Sequence, residues 1–130
     1  MLNKIVKLKN FNIANNKPII LIAGPCQLED DEHPLKIASM LKDITSRLSI
    51  NFIFKSSFDK ANRTSLNSKR GVGLKKSLDI FENIKKKLDV PILTDVHTQD
   101  QCKEVSQVVD IIQIPAFLCR QTDLLISAAK

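Results

Sequence analysis

The chain has 130 residues, 43% of them hydrophobic and 26% charged, with a formal net charge of +6. That length suits one modest domain with a core of its own, and no apolar run approaches the ~20 residues that span a bilayer. The N-terminal MLNKIVKLKNFN has alternating lysines and no apolar stretch of the secretory kind, so a cytoplasmic protein without a membrane partner is expected.

The three cysteines, Cys26, Cys102 and Cys119, are odd in number and form no C-x-x-C pair. They therefore suggest neither a disulfide scaffold nor a zinc finger. Much of the positive excess sits in Lys75–Lys76 and Lys85–Lys87, inside segments of helical pattern, and reads as a solvated face. There is no tryptophan or tyrosine. Without a basic stripe interleaved with aromatics, no nucleic-acid partner is expected.

In chain order, KIVKLKNFNI reads as a small amphipathic hairpin. KPIILIAG, Lys17 to Gly24, is a β-branched apolar run of the kind buried on both faces of a sheet. After the acidic LEDDEHP, Leu35, Ile37, Ala38, Leu41, Ile44 and Leu48 recur at helical spacing, and Asp30, Asp31 and Glu32 sit where a helix start favours negative charge. Asn51 to Phe54 is a second strand. Leu74, Leu78, Phe81, Ile84 and Leu88 mark a second helix. Val90 to Val96 holds a third strand, a short helix follows from about Thr98 to Ser106, VVDIIQIPAFL holds a fourth strand, and QTDLLISAAK opens a last helix near Thr122 or Asp123. Alternation of this kind predicts an α/β fold with a parallel sheet in a single domain over 1–130.

Each buried run ends in a turn or a polar residue: Gly24-Pro25-Cys26, Lys55, Thr94-Asp95 and Gln113. Strand ends that deliver polar groups to one rim are the design of the (β/α)8 TIM barrel, which is the expected fold. A flavodoxin-like open sheet, which binds ligands at a switch point, is the alternative. A complete barrel takes roughly 250 residues, so the chain is expected to supply about its first four β/α units behind the hairpin, and to be inactive by itself.

Four stretches carry chemistry. Cys26 in GPCQLE could serve as a nucleophile or a metal ligand, although, taken alone, it reads better as a small residue filling a turn. FKSSFDKANRTS offers Lys55, Ser57, Lys60, Asn62, Arg63, Thr64 and Ser65 within a dozen residues. These are cations and neutral donors suited to an anion, though an exposed basic loop balanced by Asp59 has the same composition. No Walker-type loop is present, and the two glycines of RGVGL are a weak phosphate signal. In TDVH, Asp95 suits hydroxyl orientation, proton transfer or metal binding. His97 is read as lying off the face that Asp95 uses and is given no role. Cys119 is taken as structural.

Together, IAGPC, FKSSFDKANRTS, RGVGL, PILTDVH and DIIQIPAFLCRQTDL resemble, in order, the N-terminal half of the 3-deoxy-D-manno-octulosonate 8-phosphate synthase family. The related synthase of the seven-carbon sugar acid has a KPRT-like segment where this chain has Lys60-Ala61-Asn62-Arg63. The resemblance implies condensation of phosphoenolpyruvate with D-arabinose 5-phosphate and water, releasing phosphate, for the lipopolysaccharide inner core.

Within that resemblance Lys60 and Asp95 are catalytic. Lys55, Ser57 and Lys60 contact phosphoenolpyruvate, with Gln113 and Ala116 nearby. Asn62 and Arg63, with Thr64 or Ser65, hold the pentose phosphate. Phe117 and Arg120 reach a neighbouring subunit's site in a homotetramer. Cysteine at position 26 resembles the metal-dependent class, which implies a divalent zinc, iron or manganese ion and no organic cofactor. Val72 departs from the family's usual proline, and the family's remaining metal ligands lie in the second half of its barrel. Other readings are a non-catalytic phosphate-binding fragment, the heptulosonate synthase, and a nucleic-acid-binding domain suggested by charge alone.

Overall fold

The computed structural model describes residues 4–61, 63–65 and 67–130. A two-stranded antiparallel hairpin, β1 (Val6–Lys7) and β2 (Asn12–Ile13), precedes four parallel strands: β3 (Ile20–Ala23), β4 (Asn51–Lys55), β5 (Ile92–Asp95) and β6 (Ile111–Gln113). The helices α1 (His33–Arg47), α2 (Leu74–Leu88), α3 (Gln99–Val105) and α4 (Thr122–Ala129) alternate with them, and a 3-10 turn, Ala116–Leu118, leads into α4. No helix among the described residues is long and apolar enough to cross a membrane.

Strand order in the parallel sheet is β3-β4-β5-β6, the order of the chain. A doubly wound sheet reverses its winding at a switch point, and no reversal occurs among the described strands. Right-handed crossovers between successive neighbours place all the connecting helices on one face. This winding fits the TIM-barrel family of folds and disfavours the flavodoxin-like alternative.

The core forms where the sheet meets the helices. Phe52 and Phe54 of β4, Ile92 of β5, Ile80, Phe81 and Ile84 of α2, and Cys102 and Val105 of α3 are all buried in one cluster. On α2 the apolar stripe faces inward. Its lysines face outward, as expected, and find carboxylates: Lys76 pairs with Asp31, Lys86 with Glu82 one turn back, and Lys85 with Asp110. Asp110 also accepts the Ile92 N–H at 2.8 Å, tying β5 to the turn before β6.

The start of α1 uses the acidic stretch in a specific way. Asp30 Oδ1 accepts the backbone N–H of Glu32 and of His33. These bonds, that of His33 foremost, hold the carboxyl below its usual range. Asp89 ends α2 in the left-handed conformation at φ 47°, and the hairpin docks there through Lys9 Nζ to Asp89 Oδ1 at 3.1 Å and Asn10 Nδ2 to the Asp89 carbonyl.

One strand departs from expectation. β3 was expected to be buried on both faces, but Leu21 and Ile22 are exposed, as is Ile19 at 78% just before the strand. Met40 and Ile44 of α1 and Leu48 just after it are exposed as well. The physical reason is position: β3 pairs with β4 alone among the described strands, so one edge and its flanking apolar surface have no neighbour.

Candidate functional site

The C-terminal ends of the strands are laced by side chains rather than by ladder bonds alone. Ser56 Oγ donates to the Pro25 carbonyl at 2.8 Å, and Thr94 Oγ1 donates to the Ser56 carbonyl at 2.7 Å. The backbone N–H of Leu28 reaches the Ser57 carbonyl, that of Ser57 the Cys26 carbonyl, and that of Val96 the Gln113 carbonyl. Ser56, Ser57 and Thr94 are fully buried. Small hydroxyl residues fit here because Ser56 and Thr94 each give a buried carbonyl at the strand ends a donor.

Above this lacing lies a cavity of about 360 Å³ lined by Lys55, Ser57, Asp59, Lys60, Ala61, Asp95, His97, Gln113 and the Pro115–Leu118 turn. Ser57 Oγ accepts from Lys55 Nζ at 3.2 Å and from Lys60 Nζ at 3.0 Å. Two acceptances use both lone pairs of the hydroxyl and leave its own proton to donate. Among the described residues neither lysine has a carboxylate within ion-pair distance. Asp59 turns to Arg70, whose guanidinium it receives on both oxygens. That bond, with the charge beside it, holds the Asp59 carboxyl below its usual range. Two ammonium groups around one buried hydroxyl, without a counter-carboxylate among the described residues, form a grouping whose chemistry suits an anion.

Asp95, 8% exposed, lines the same cavity from the end of the neighbouring strand β5. Its Oδ2 lies 2.9 Å from His97 Nε2, and its Oδ1 is buried with no hydrogen-bond partner among the described residues. The sequence reading sets His97 off the face of Asp95, and the structure corrects it. Residues i and i+2 of extended chain share a face, so the pair was legible in the spacing. His97 also tilts against the Phe58 ring at 5.3 Å and receives order from Gln101, whose Oε1 accepts its backbone N–H.

The cavity thus gathers Lys55, Ser57, Lys60, Asp95, Gln113, Ala116 and Phe117, the last 86% exposed on the outer lip. It does not include Arg63, Thr64, Ser65, Arg120 or Cys26, all of which are exposed. Asn62 lies outside the described residues. Arg63 is held beside the cavity by Gln27 and the Lys69 carbonyl, while Ser65 Oγ accepts the Asn67 N–H within its own loop. Cys119, expected to be structural, is exposed at the end of the 3-10 turn, whereas Cys102 is core.

Cys26 is a free, exposed thiol on the rim. Among the described residues no three of His, Cys, Asp and Glu converge to hold a metal ion. The thiol fits one position of a ligand set, and these residues do not complete that set.

The chain is similar to 2-dehydro-3-deoxyphosphooctonate aldolase of Rickettsia canadensis, 58% identical over 129 residues, which is 99% of this chain and 47% of the relative. The enzyme of the same name from Brucella anthropi is 56% identical over 128 residues, 98% of this chain and 46% of the relative. That of Rickettsia typhi is 57% identical over 129 residues. The chain thus spans about half the length of the curated relatives it matches. The model of the DAHP synthetase I family matches residues 3–130, and to that family the chain belongs.

Proposed function

We propose that the chain carries the substrate-gripping rim of an enzyme that condenses phosphoenolpyruvate with D-arabinose 5-phosphate and water. The products are 3-deoxy-D-manno-octulosonate 8-phosphate and inorganic phosphate, for the lipopolysaccharide inner core. The observation that carries this reading is the Lys55–Ser57–Lys60 grouping lining one cavity with the Asp95 carboxylate. The relatives' name supports the choice of product.

The roles follow from the chemistry. Lys55 and Lys60 neutralise the phosphate and carboxylate of phosphoenolpyruvate, and the Ser57 hydroxyl donates to the same anion. Gln113 and Ala116 close that side of the cavity. Arg63, with Asn62 and Thr64 or Ser65, takes the pentose phosphate. Carbon–carbon bond formation leaves the aldehyde oxygen in need of a proton, and addition of water at the phosphate-bearing carbon releases one. Lys60 and Asp95 are the groups placed to hold or pass these protons. A divalent zinc, iron or manganese ion, when bound, polarises the aldehyde or activates water, and Cys26 would supply one of its ligands.

We further propose that the four β/α units are the first half of a closed (β/α)8 barrel. The uncovered edge of β3 and the exposed Ile19, Leu21, Ile22, Met40, Ile44 and Leu48 support this, since a closing strand and helix would bury them. Phe117 and Arg120 protrude as residues that reach a neighbouring subunit in a homotetramer would.

Calorimetric titration tests the reading. Phosphoenolpyruvate should bind this chain, and Lys60→Ala should weaken it ~10-fold or more, the scale of a lost charge-assisted bond. Binding that survives Lys55→Ala/Lys60→Ala unchanged overturns it. The family's description favours one second reading, a heptulosonate synthase; preference for a four-carbon over a five-carbon aldose phosphate would select it.

A further inference from the structure

Gln27 is 5% exposed, yet it lies outside the cavity, and no motif assigned it a role. Both ends of its amide are engaged. Oε1 accepts from Arg63 Nη2 at 2.6 Å, and Nε2 donates to Glu29 Oε1 at 3.0 Å. Arg63 is then fixed at a second point, through Nε to the Lys69 carbonyl at 3.1 Å. The two contacts use two of the five N–H donors of a guanidinium.

An amide suits this place. A guanidinium can only donate and an ionised carboxylate can only accept, so a group between them must do both. Glutamine does so in one orientation alone, with oxygen toward Arg63 and nitrogen toward Glu29. Glutamate would set its charge against Glu29, and an aliphatic side chain would leave both neighbours without a buried partner. The backbone of Gln27 is equally committed. It bridges Ser57 in parallel fashion, with Cys26 and Leu28 on either side bonded to the Ser57 backbone.

We propose that Gln27 is a positioning residue that sets the arginine arm of the site at a fixed offset from the Ser57 anion receptor. Through its backbone it is locked to the hydroxyl that gathers Lys55 and Lys60, and through its side chain to the guanidinium of Arg63. Two phosphorylated molecules bound by these two arms are thereby held at a separation that one buried amide decides. The role in substrate binding rests on the reading of Arg63 as a phosphate ligand; the Gln27–Arg63 coupling does not.

The test uses the full chain and two readouts. Hydrogen exchange of the Arg63 Nη2–H that Gln27 accepts, followed by nitrogen-15 NMR and assigned by its loss in Arg63→Lys, should quicken about ten-fold in Gln27→Leu. The Arg70 Nε–H, which is bonded to Asp59, should change less than two-fold. Gln27→Glu keeps an acceptor for Arg63 and should retain its protection. In calorimetry with D-arabinose 5-phosphate, Gln27→Leu should weaken binding roughly ten-fold in wild-type background and not at all beside Arg63→Ala. Unchanged Arg63 exchange in Gln27→Leu overturns the proposal, as does equal quickening at Arg70, which means general loosening of the loop. If the unaltered chain ignores the sugar phosphate, the phosphate role of Arg63 falls, and the exchange experiment still decides the coupling.

Discussion

Gly24 lies so close to Lys55 that a Cβ placed on it would meet the Lys55 carbonyl oxygen at 2.0 Å. The ladder pairs Ala23 with Phe54, so this contact is the next step along the β3–β4 pairing, ahead of the Gln27–Ser57 bridge. The glycine therefore sets how tightly the turn carrying Cys26 is drawn against the strand end carrying Lys55. The obstructing atom is backbone and cannot swing aside. Gly24→Ala should cost about 1–3 kcal/mol and lower the melting temperature by several degrees, measured by circular dichroism. An unchanged melting temperature would show that the strand ends part freely.

The hydroxyl lacing of the rim makes a separate prediction. Thr94→Val preserves shape but leaves the buried Ser56 carbonyl without its side-chain donor. Ser56→Ala does the same to the Pro25 carbonyl. Each should cost about 1–2 kcal/mol in urea unfolding. Because both act through residue 56, the double variant should depart from the sum of the single losses.

The His97–Asp95 pair predicts a rescue. His97→Phe keeps a flat ring against Phe58 but strips Asp95 Oδ2 of its partner, beside an Oδ1 that has none among the described residues. A loss of about 1–3 kcal/mol is expected. Adding Asp95→Leu removes the stranded carboxylate and should return part of that stability in the same urea experiment, since an apolar pair leaves nothing unsatisfied. A double variant less stable than His97→Phe would show that the pair is not what holds Asp95.

Acid should open the basic loop before it unfolds the core. The Asp59 carboxyl is held below its ordinary value of 3.8 by the hydrogen bond and charge of Arg70. A lowered folded-state value means stability that is present above the unfolded value and is lost as pH falls through the folded one. Proteolysis at residues 60–70 should therefore quicken as pH drops below about 4, and Asp59→Asn should show the faster cleavage already at neutral pH. Added salt should weaken the effect, because Arg70 is largely exposed and its charge is screened.

Much of the architecture was legible in the chain. Alternating buried runs and 3.6-period stripes identified the hairpin, four strands and four helices in order, because period and turn residues act locally. The segments that supply the rim were legible for the same reason: a buried strand that breaks into Lys55 or Asp95 must surface there. What the residues could not show locally was which groups meet. Arg63 is 36 residues from Gln27, Thr94 is 38 from Ser56, and Ser56 is 31 from Pro25. These partners are joined by parallel pairing, which places strand ends side by side whatever the length of chain between them. The exposure of β3 is of the same kind, since an apolar run specifies burial but only a neighbouring strand can provide it. Composition and period determined the elements and the polar character of their ends. Tertiary packing decided that Lys55 and Lys60 share one serine, that Asp95 lines the same cavity with one oxygen unpartnered among the described residues, and that a buried glutamine holds Arg63.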